Sequence, residues 1–346
     1  MTNLIEIKNL FIEYKVEGAM QEKKTVHAVN DLSLDIRQGE ILSIAGESGC
    51  GKSTLAKAVL RLIDVKSGEI ILREEGIEAK CKMQNAKCCD SESSAELLFR
   101  QHEIGTNILK LNKKELKKFR QNAQIIFQNP YSSLNPKMKI YDILEEPLII
   151  NEKSFNKAQR RERVVETIKQ VGLDESVLSL YPHEFSGGQR QRIAIARSLI
   201  LNPKFIVADE PVSALDVSIQ AQIINLLNEL KEKFNLTFLF ISHDLSVIKY
   251  LSDRVAIMYL GEIVELGTSE EIFNMPKHPY TQALLSANPG NKGEKIILKG
   301  ELPSPTNLPA GCKFHTRCPH VMEICKTVVP SKTDFSDSHC AYCHLY

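Results

Sequence analysis

The stretch Gly46-Glu-Ser-Gly-Cys-Gly-Lys-Ser53 decides the fold of this 346-residue chain. It matches the pattern G-x-x-x-x-G-K-[ST], follows the apolar run Glu40-Ile-Leu-Ser-Ile44 and precedes a helical pattern. In that context the glycines let backbone N–H groups converge on phosphate oxygens, and the start of the helix adds a favourable dipole. We therefore predict a phosphate-binding loop in which Lys52 reaches the β- and γ-phosphates and Ser53 ligates Mg²⁺. The residues predicted to bind the nucleotide here are Gly46, Glu47, Ser48, Gly49, Cys50, Gly51, Lys52, Ser53 and Thr54.

Strand-like and helix-like patterns alternate on both sides of this loop. Residues 4–44 contain short apolar runs separated by turns, which predicts strands of a mixed or antiparallel sheet. After the loop, Leu55, Val59, Leu62 and Ile63 recur at helical spacing and predict a helix over 53–63. The other predicted elements are strands over 124–127, 205–208 and 237–241, and helices over 111–119, 152–179, 189–201, 217–233 and from Asp244. This alternation predicts an α/β fold with a parallel sheet and crossover helices.

Composition excludes several classes of protein. With 44 Lys+Arg against 43 Asp+Glu the net charge is +1, which excludes binding to nucleic acid through bulk positive charge. Apolar residues make up 43% and charged residues 25%, as in globular proteins, which excludes disorder of the whole chain. The sequence has no apolar run long enough to span a bilayer, and its start lacks the pattern of a secretory signal. We therefore expect a cytosolic chain.

Two carboxylates follow a predicted buried strand in Lys204-Phe-Ile-Val-Ala-Asp-Glu210. At the carboxyl end of a strand, Asp209 can hold Mg²⁺ through water, and Glu210 can polarise an attacking water as general base. Two solvated carboxylates would be the simpler interpretation of this segment alone, but the phosphate loop in the same chain favours the catalytic one.

A second glycine turn begins a helix at Ser186-Gly-Gly-Gln-Arg190 and forms another potential anion-binding helix terminus. One nucleotide has a single γ-phosphate, which the first loop already contacts. The economical interpretation is that this turn faces the nucleotide of another subunit. The residues concerned are Ser186, Gly187, Gly188 and Gln189.

Taken together, these motifs resemble those of the nucleotide-binding subunits of ABC transporters. Gln128 after Ile125-Ile-Phe127 is similar to the Q-loop of that family, and Ser213-Ala-Leu-Asp216 is similar to its D-loop. His243 after Phe240-Ile-Ser242 resembles the switch histidine, and Tyr14 lies where the family stacks an aromatic ring on adenine.

The resemblance implies a P-loop ATPase core with a helical subdomain and an antiparallel β subdomain. It implies catalytic roles for Gln128, Glu210 and His243, and nucleotide contacts from Tyr14 and Asp216. The residues that it implies for Mg²⁺ are Ser53, Gln128 and Asp209.

Three segments narrow the resemblance to the dipeptide, oligopeptide and nickel importer branch. They are Asn129-Pro-Tyr-Ser-Ser-Leu-Asn-Pro136, Lys277-His-Pro-Tyr-Thr-Gln-Ala-Leu-Leu285 and Leu308-Pro-Ala-Gly-Cys-Lys-Phe-His-Thr-Arg-Cys-Pro319. The implied organisation is an ATPase domain over 1–275, with the helical subdomain at about 128–200, and a small C-terminal Cys-rich module over 276–346. Residues 76–107 depart from the branch pattern and are predicted to be an insertion. Its Cys81, Cys88 and Cys89 are too few for a closed metal site without a His or a partner chain, although His102 is near in sequence.

For this branch, the resemblance implies ATP hydrolysis that energises import of peptides, or of a related small solute such as nickel, through closure of two ATPase subunits. The implied partners are a second, homologous ATPase subunit in a heterodimer, two membrane permease subunits that contact the segment 128–148, and an extracytoplasmic solute-binding protein. The implied location is the cytoplasmic face of the plasma membrane, as a peripheral subunit, and no nucleic-acid partner is expected. The cargo is not specified by this chain.

Five of the nine cysteines, Cys312, Cys318, Cys325, Cys340 and Cys343, lie near the C-terminus. A cytosolic chain does not favour a disulfide framework. A module with so few apolar side chains needs a staple, and four thiolates suit a [4Fe–4S] cluster. The spacing C-x₅-C-x₆-C-x₁₇-C does not choose the metal, so Zn²⁺ and free thiols stay open.

The importer resemblance favours a [4Fe–4S] cluster. Related importer ATPases have cysteines at four of these positions, with the last before His-Leu, as Cys343 precedes His344-Leu345. Cys340 is then the extra residue, although it could replace Cys343. The implied cluster ligands are Cys312, Cys318, Cys325 and Cys343.

Two other functions compete with solute import. The first is a soluble ABC ATPase that acts on nucleic acid or ribosomes through a zinc-binding tail. The near-zero net charge and the single ATPase core argue against it. The second is a regulatory subunit that does not hydrolyse ATP, and the presence of Glu210, His243 and Ser186-Gly-Gly argues against that.

Overall fold

The computed structural model describes residues 2–17, 23–73, 105–129, 133–288 and 294–346. Most of the predicted insertion, including Cys81, Cys88, Cys89 and His102, therefore lies outside the described residues. Residues 130–132 of the importer-like segment after Gln128 also lie outside them.

The centre of the molecule is an eight-stranded sheet with the order β11-β12-β10-β9-β3-β8-β7-β6. Its five strands from β9 to β6 run parallel, and β10, β12 and β11 continue the sheet in antiparallel fashion. The parallel strands β3, β7 and β8 are buried along their whole length, which explains their continuous apolar sequences. The bounds are β3 Ile41–Ala45, β6 Ala123–Ile126, β7 Phe205–Asp209, β8 Thr237–Ile241, β9 Arg254–Tyr259, β10 Glu262–Thr268, β11 Lys332–Asp334 and β12 Cys340–Tyr342.

A second, antiparallel sheet contains the N-terminal strands in the order β2-β1-β4-β5. The apolar runs over residues 4–44 suggested a series of short strands, and that number is wrong. The runs belong instead to the two long, bulged strands β1 and β2 and to β3 of the main sheet. Asn9 and Asp31 adopt left-handed backbone conformations at the irregularities, and the Asn9 side chain donates to the Asp31 carboxylate at 2.8 Å. These residues make bulges rather than turns. The bounds are β1 Asn3–Glu17, β2 Lys23–Arg37, β4 Ser67–Leu72 and β5 Thr106–Asn107.

Helices pack against the main sheet, and three of them follow β6 and precede β7 in the chain. Asn112 and Asn156 begin two of them with capping boxes, in which the side chain accepts from the first turn. The helix Ile140–Asn151 contains Pro147, and no pattern in the sequence predicted this helix. The bounds are α1 Lys52–Val59, α2 Lys113–Asn122, α3 Ile140–Asn151, α4 Lys157–Gln170, α5 Gly187–Leu199, α6 Val217–Phe234, α7 Leu245–Leu251, α8 Ser269–Asn274 and α9 Pro279–Ser286.

Helix α1 begins as predicted and ends earlier than predicted. Leu55 and Val59 are buried, but the helix stops at Val59, Arg61 is left-handed, and Leu62 is 43% exposed. Helix α4 likewise covers only part of the predicted 152–179 and is followed by a short 3₁₀ turn, Glu175–Ser179. Both local predictions of helix are confirmed in type and wrong in extent.

The C-terminal residues pack directly against the main sheet. Strand β12 pairs with β10, with Cys340 opposite Leu266. Tyr280 of α9 and Phe314 are fully buried and contact Tyr259 of β9, with ring centroids 4.7 and 5.3 Å from that of Tyr259. Within the described ranges, no helix is long and apolar enough to cross a membrane.

Candidate active site

The carboxyl ends of β3, β6, β7 and β8 meet at one edge of the main sheet, and a cavity of about 650 Å³ opens there. The order of the parallel strands places their following loops side by side, although these loops are far apart in sequence. The cavity is lined by Tyr14, Val26, Ala28, Ser48, Gly49, Gly51, Lys52, Ser53, Thr54, Gln128, Glu210, His243 and Pro305.

The predicted phosphate loop connects β3 to α1 at the floor of this cavity. Gly51, the residue before α1, has a φ of +104°, and a Cβ there would collide with the carbonyl oxygen of Ala28. Only glycine fits, since the left-handed conformation and the close approach both exclude a side chain. Of the predicted loop residues, Gly46, Glu47 and Cys50 are not among those that line the cavity.

Lys52 is buried at the start of α1 and spans the loop. Its Nζ donates to the carbonyl oxygens of Gly46 at 2.8 Å and Glu47 at 2.9 Å. The Cys50 side chain lies beneath the loop, where burial raises the pKa of its thiol. Lys52 Nζ also donates to Cys50 Sγ at 3.7 Å, so the Cys50 side chain packs beneath the loop and contacts its lysine.

Ser53 and Asp209 contact each other beside the loop. The Ser53 hydroxyl donates to Asp209 Oδ1 at 2.8 Å, which joins α1 to the end of β7. Burial raises the pKa of Asp209, the Ser53 hydrogen bond opposes the increase, and the neighbouring Glu210 charge adds to it. A nearby cation would reverse this increase. A hydroxyl and a carboxylate are hard oxygen ligands of the kind that Mg²⁺ prefers, so these residues fit the ion.

Three predicted catalytic residues meet at one carboxylate oxygen. Gln128 Nε2 donates to Glu210 Oε2 at 2.7 Å, and His243 Nδ1 lies 3.3 Å from the same oxygen. Glu210 has a φ of +48°, a strained conformation for a residue with a side chain, and its N–H donates to the Ile241 carbonyl at 2.9 Å. Strain of this kind persists only where the surrounding structure enforces it, and it is concentrated at functional sites.

The opposite end of the cavity is largely apolar. Tyr14 and Val26 of the antiparallel sheet line it together with Pro305, whose carbonyl oxygen accepts from the His27 N–H at 3.0 Å. Sequence reasoning identified Tyr14 but missed Pro305. No local signal could have found Pro305, because only the tertiary structure brings it beside β2.

The Ser186 turn and Asp216 do not line the cavity of their own chain. Ser186 begins α5, and its hydroxyl accepts from the Gln189 N–H at 3.4 Å. A Cβ on Gly188 would collide with Ile219, while Asp216 caps α6 by accepting from the Ile219 N–H at 3.0 Å. The turn and the start of α6 are therefore packed together, away from the first phosphate loop.

The C-terminal cysteines divide into two groups. Cys312, Cys318, Cys325 and Cys343 lie within electrostatic range of one another, and the Cys312 N–H donates to the Cys325 carbonyl at 2.9 Å. Burial raises the pKa of Cys312 to about 11; a hydrogen bond from the Phe314 backbone opposes the increase, and the other three thiols add to it. Cys340 instead lies near the charges of Lys332, Asp334, Arg254 and Glu265. Among the described residues, no group of His, Cys, Asp or Glu side chains is arranged to hold a metal ion.

A phosphate loop, a strand-end carboxylate pair and a second glycine turn on a separate helix define an ATPase of the ATP-binding-cassette class. A model of the ABC transporter family matches residues 29–213, more than half of the chain. A second model, the C-terminal region of oligopeptide/dipeptide transporters, matches residues 264–325. The chain belongs to the ABC transporter family of ATP-binding proteins and to its oligopeptide/dipeptide branch, which confirms the resemblance seen in the sequence.

Similar proteins extend over nearly the whole chain. The oligopeptide transport ATP-binding protein AppF of Bacillus subtilis is 45% identical over 352 residues, covering 99% of this chain and 97% of AppF. The dipeptide transport ATP-binding protein DppF of Escherichia coli is 44% identical, covering 96% of this chain and 91% of DppF. The cassette MJ0796, solved as a dimer with ADP and Pi after hydrolysis, matches with a TM-score of 0.60 and 28% identity, covering 77% of this chain and 98% of MJ0796.

Proposed function

We propose that this chain is the ATP-hydrolysing subunit of a membrane importer for oligopeptides, dipeptides or a related small solute. The observation that carries the proposal is the convergence of Gln128 and His243 on Glu210 beside the Lys52 loop. The C-terminal region and the relatives AppF and DppF supply the class of cargo.

The contacts in the cavity support the following role for each side chain. Lys52 exchanges its two carbonyl partners for oxygens of the β- and γ-phosphates, and Tyr14 stacks on the base. Glu210 accepts a proton from the attacking water, and Gln128 and His243 orient that water.

Mg²⁺, when bound, neutralises charge on the phosphates. Ser53 and Asp209 would hold it, together with Gln128. The hydroxyl of Ser53, the carboxylate of Asp209 and the amide oxygen of Gln128 would be its protein ligands.

A second ATPase subunit completes each site. The Ser186 turn leads into the first N–H groups of α5, which lack partners within the helix backbone, and it does not line the cavity of its own chain, so we assign it to the γ-phosphate of a partner. The dimer of MJ0796 supports this arrangement. We propose a homologous ATPase as that partner, in a heterodimer whose closure drives transport and whose opening follows hydrolysis.

The permease contact is proposed to lie beside Gln128. A groove of about 580 Å³ runs between α2, α3 and α5, with Pro147, Ile150 and Arg197 among its lining residues. Ile149 and Ile150 are 53% and 51% exposed at the end of α3. Two permease subunits binding here would place the chain at the cytoplasmic face of the membrane, with a solute-binding protein delivering cargo on the other side. No observation favours a nucleic-acid partner.

The test of this function is co-expression with the permease subunits and a homologous ATPase. We expect the permeases to co-purify without nucleic acid, and ATP hydrolysis to rise when a peptide-loaded binding protein is added. The purified chain alone should hydrolyse ATP poorly, because its own Ser186 turn does not line its own cavity. High activity that is independent of protein concentration would contradict the shared site, whereas a fully active homodimer would contradict only the heterodimer.

We further propose a structural [4Fe–4S] cluster on Cys312, Cys318, Cys325 and Cys343, with Zn²⁺ as the alternative. The number and type of donors support it: these four thiols lie within electrostatic range of one another and Cys340 stands apart, although their side chains are not arranged as a metal site in the described residues. Metal binding would require loss of their protons, whose release the burial of Cys312 opposes.

Replacement of one proposed ligand should separate the two groups of cysteines. After anaerobic purification we expect iron and sulfide in the wild type, loss of both in Cys325→Ser, and retention of both in the matched control Cys340→Ser. Iron, sulfide and zinc assays with a visible spectrum make the measurement. Zinc without sulfide would show that the cysteines bind Zn²⁺ and not a cluster. Absence of metal from the wild type would contradict both metal proposals.

A further inference from the structure

A bidentate ion pair joins the C-terminal region to the phosphate loop. Arg317 donates through Nη1 to Glu47 Oε2 at 2.8 Å and through Nη2 to Glu47 Oε1 at 3.2 Å. The Arg317 and Glu47 side chains are 11% and 29% exposed, respectively. Paired, partly buried contacts of this geometry are stronger and more specific than a surface ion pair.

Three separate groups of Glu47 are held. Its carboxylate accepts from Arg317, its backbone N–H donates to the Tyr280 hydroxyl at 2.9 Å, and its carbonyl accepts from Lys52 Nζ at 2.9 Å. The first two partners belong to the C-terminal region, and the third is the lysine that the phosphates must recruit. A displacement of Glu47 therefore moves one of the carbonyls that position Lys52.

The support for Arg317 is rigid. Its backbone N–H donates to the carbonyl of Phe314 at 3.0 Å, and the Phe314 ring lies 5.4 Å from Tyr280 and 5.3 Å from Tyr259. These three rings are fully buried, so they hold Arg317 and the Tyr280 hydroxyl in a fixed relation to the loop.

We propose that Arg317 is a positioning residue for the phosphate loop: it fixes Glu47, and through Glu47 the loop and Lys52, in the conformation that receives MgATP. Docking of the C-terminal region thereby sets the affinity of the site for nucleotide. The inference rests on the proposed nucleotide site and adds a residue outside the cavity to it.

The experiment measures the Kd of a fluorescent ATP analogue with Mg²⁺ on the full chain, together with its melting temperature. Arg317→Gln should weaken binding by about 10-fold, within the range typical of coupling between linked sites. Arg317→Lys should be intermediate, since lysine keeps the charge but not the two parallel hydrogen bonds. The matched control is Lys313→Gln. It also removes one positive charge from an ion pair, that of Lys313 Nζ with Glu262 Oε1 at 4.0 Å, and it should change the Kd less than twofold.

Glu47→Gln removes the pair from the loop side and leaves the C-terminal packing intact, so it should reproduce the loss even if Arg317→Gln does not fold. The double variant should bind about as well as either single one, because residues that act as a pair are not additive. Folded Arg317→Gln or Glu47→Gln with the wild-type Kd would overturn the inference. Wild-type binding by Lys52→Ala would instead overturn the proposed nucleotide site.

Discussion

Replacement of Glu210 by Gln should lower ATP hydrolysis by roughly 10²–10⁴-fold, the usual cost of losing a general base. The measurement is phosphate release by the assembled transporter. Nucleotide binding should be retained, because the variant leaves Lys52, Ser53 and Asp209, the proposed ligands of the phosphates and the ion, unchanged. ATP-bound dimers should accumulate, since closure no longer leads to hydrolysis.

A matched control distinguishes the loss of the Glu210 carboxylate from the loss of a negative charge elsewhere on the protein. Glu232→Gln makes the same change on an exposed part of α6 and should leave the rate within about twofold, as is usual for surface substitutions. Turnover by Glu210→Gln within about threefold of the wild type would show that Glu210 is not the base.

Substitution of Gly188 by Ala should reduce hydrolysis by about 10²-fold, comparable to removing one donor from a preorganised anion site. A Cβ at this position collides with Ile219, so the turn must shift. Its N–H groups then no longer point at the γ-phosphate of the partner subunit. Because Gly188 does not line its own cavity, MgATP binding to the isolated chain should be unchanged. Equilibrium binding by the chain and phosphate release by the assembled transporter measure the two quantities.

This separation between binding and hydrolysis is specific to a shared site. If Gly188→Ala weakened binding by the isolated chain as strongly as it slowed hydrolysis, the turn would act within its own subunit. Ser186→Ala removes the cap hydroxyl without adding a steric clash, and it should have a smaller effect on hydrolysis.

The sequence was sufficient to identify the residues around Glu210. Gln128, Glu210 and His243 each follow a strand of the same parallel sheet, so their positions in the chain already implied a common edge. The phosphate loop was predictable for a related reason, since its chemistry depends on glycines and a lysine at fixed local spacing.

Contacts between distant segments were not predictable. Pro305 reaches β2, and Arg317 reaches Glu47, only because the C-terminal region folds back over the core. Local patterns also misplaced element ends where a polar residue adopts an unusual conformation. Asn9 resembles a turn in sequence, but its side chain is bonded to the opposite strand and keeps β1 continuous.

Strand β12 covers part of an edge at which the main sheet could pair with another chain. It covers the edge of β10, whose Val264 is buried, with the backbone pairing of Cys340 and Ala341. Among the described residues, β11 is the outermost strand on this side of the sheet, and its Lys332 and Asp334 place charges there. A short, charged edge strand is a poor template for another chain, and pairing with β12 occupies Glu265 and Leu266 of β10. The last residues of the chain therefore contribute to keeping the protein from aggregating.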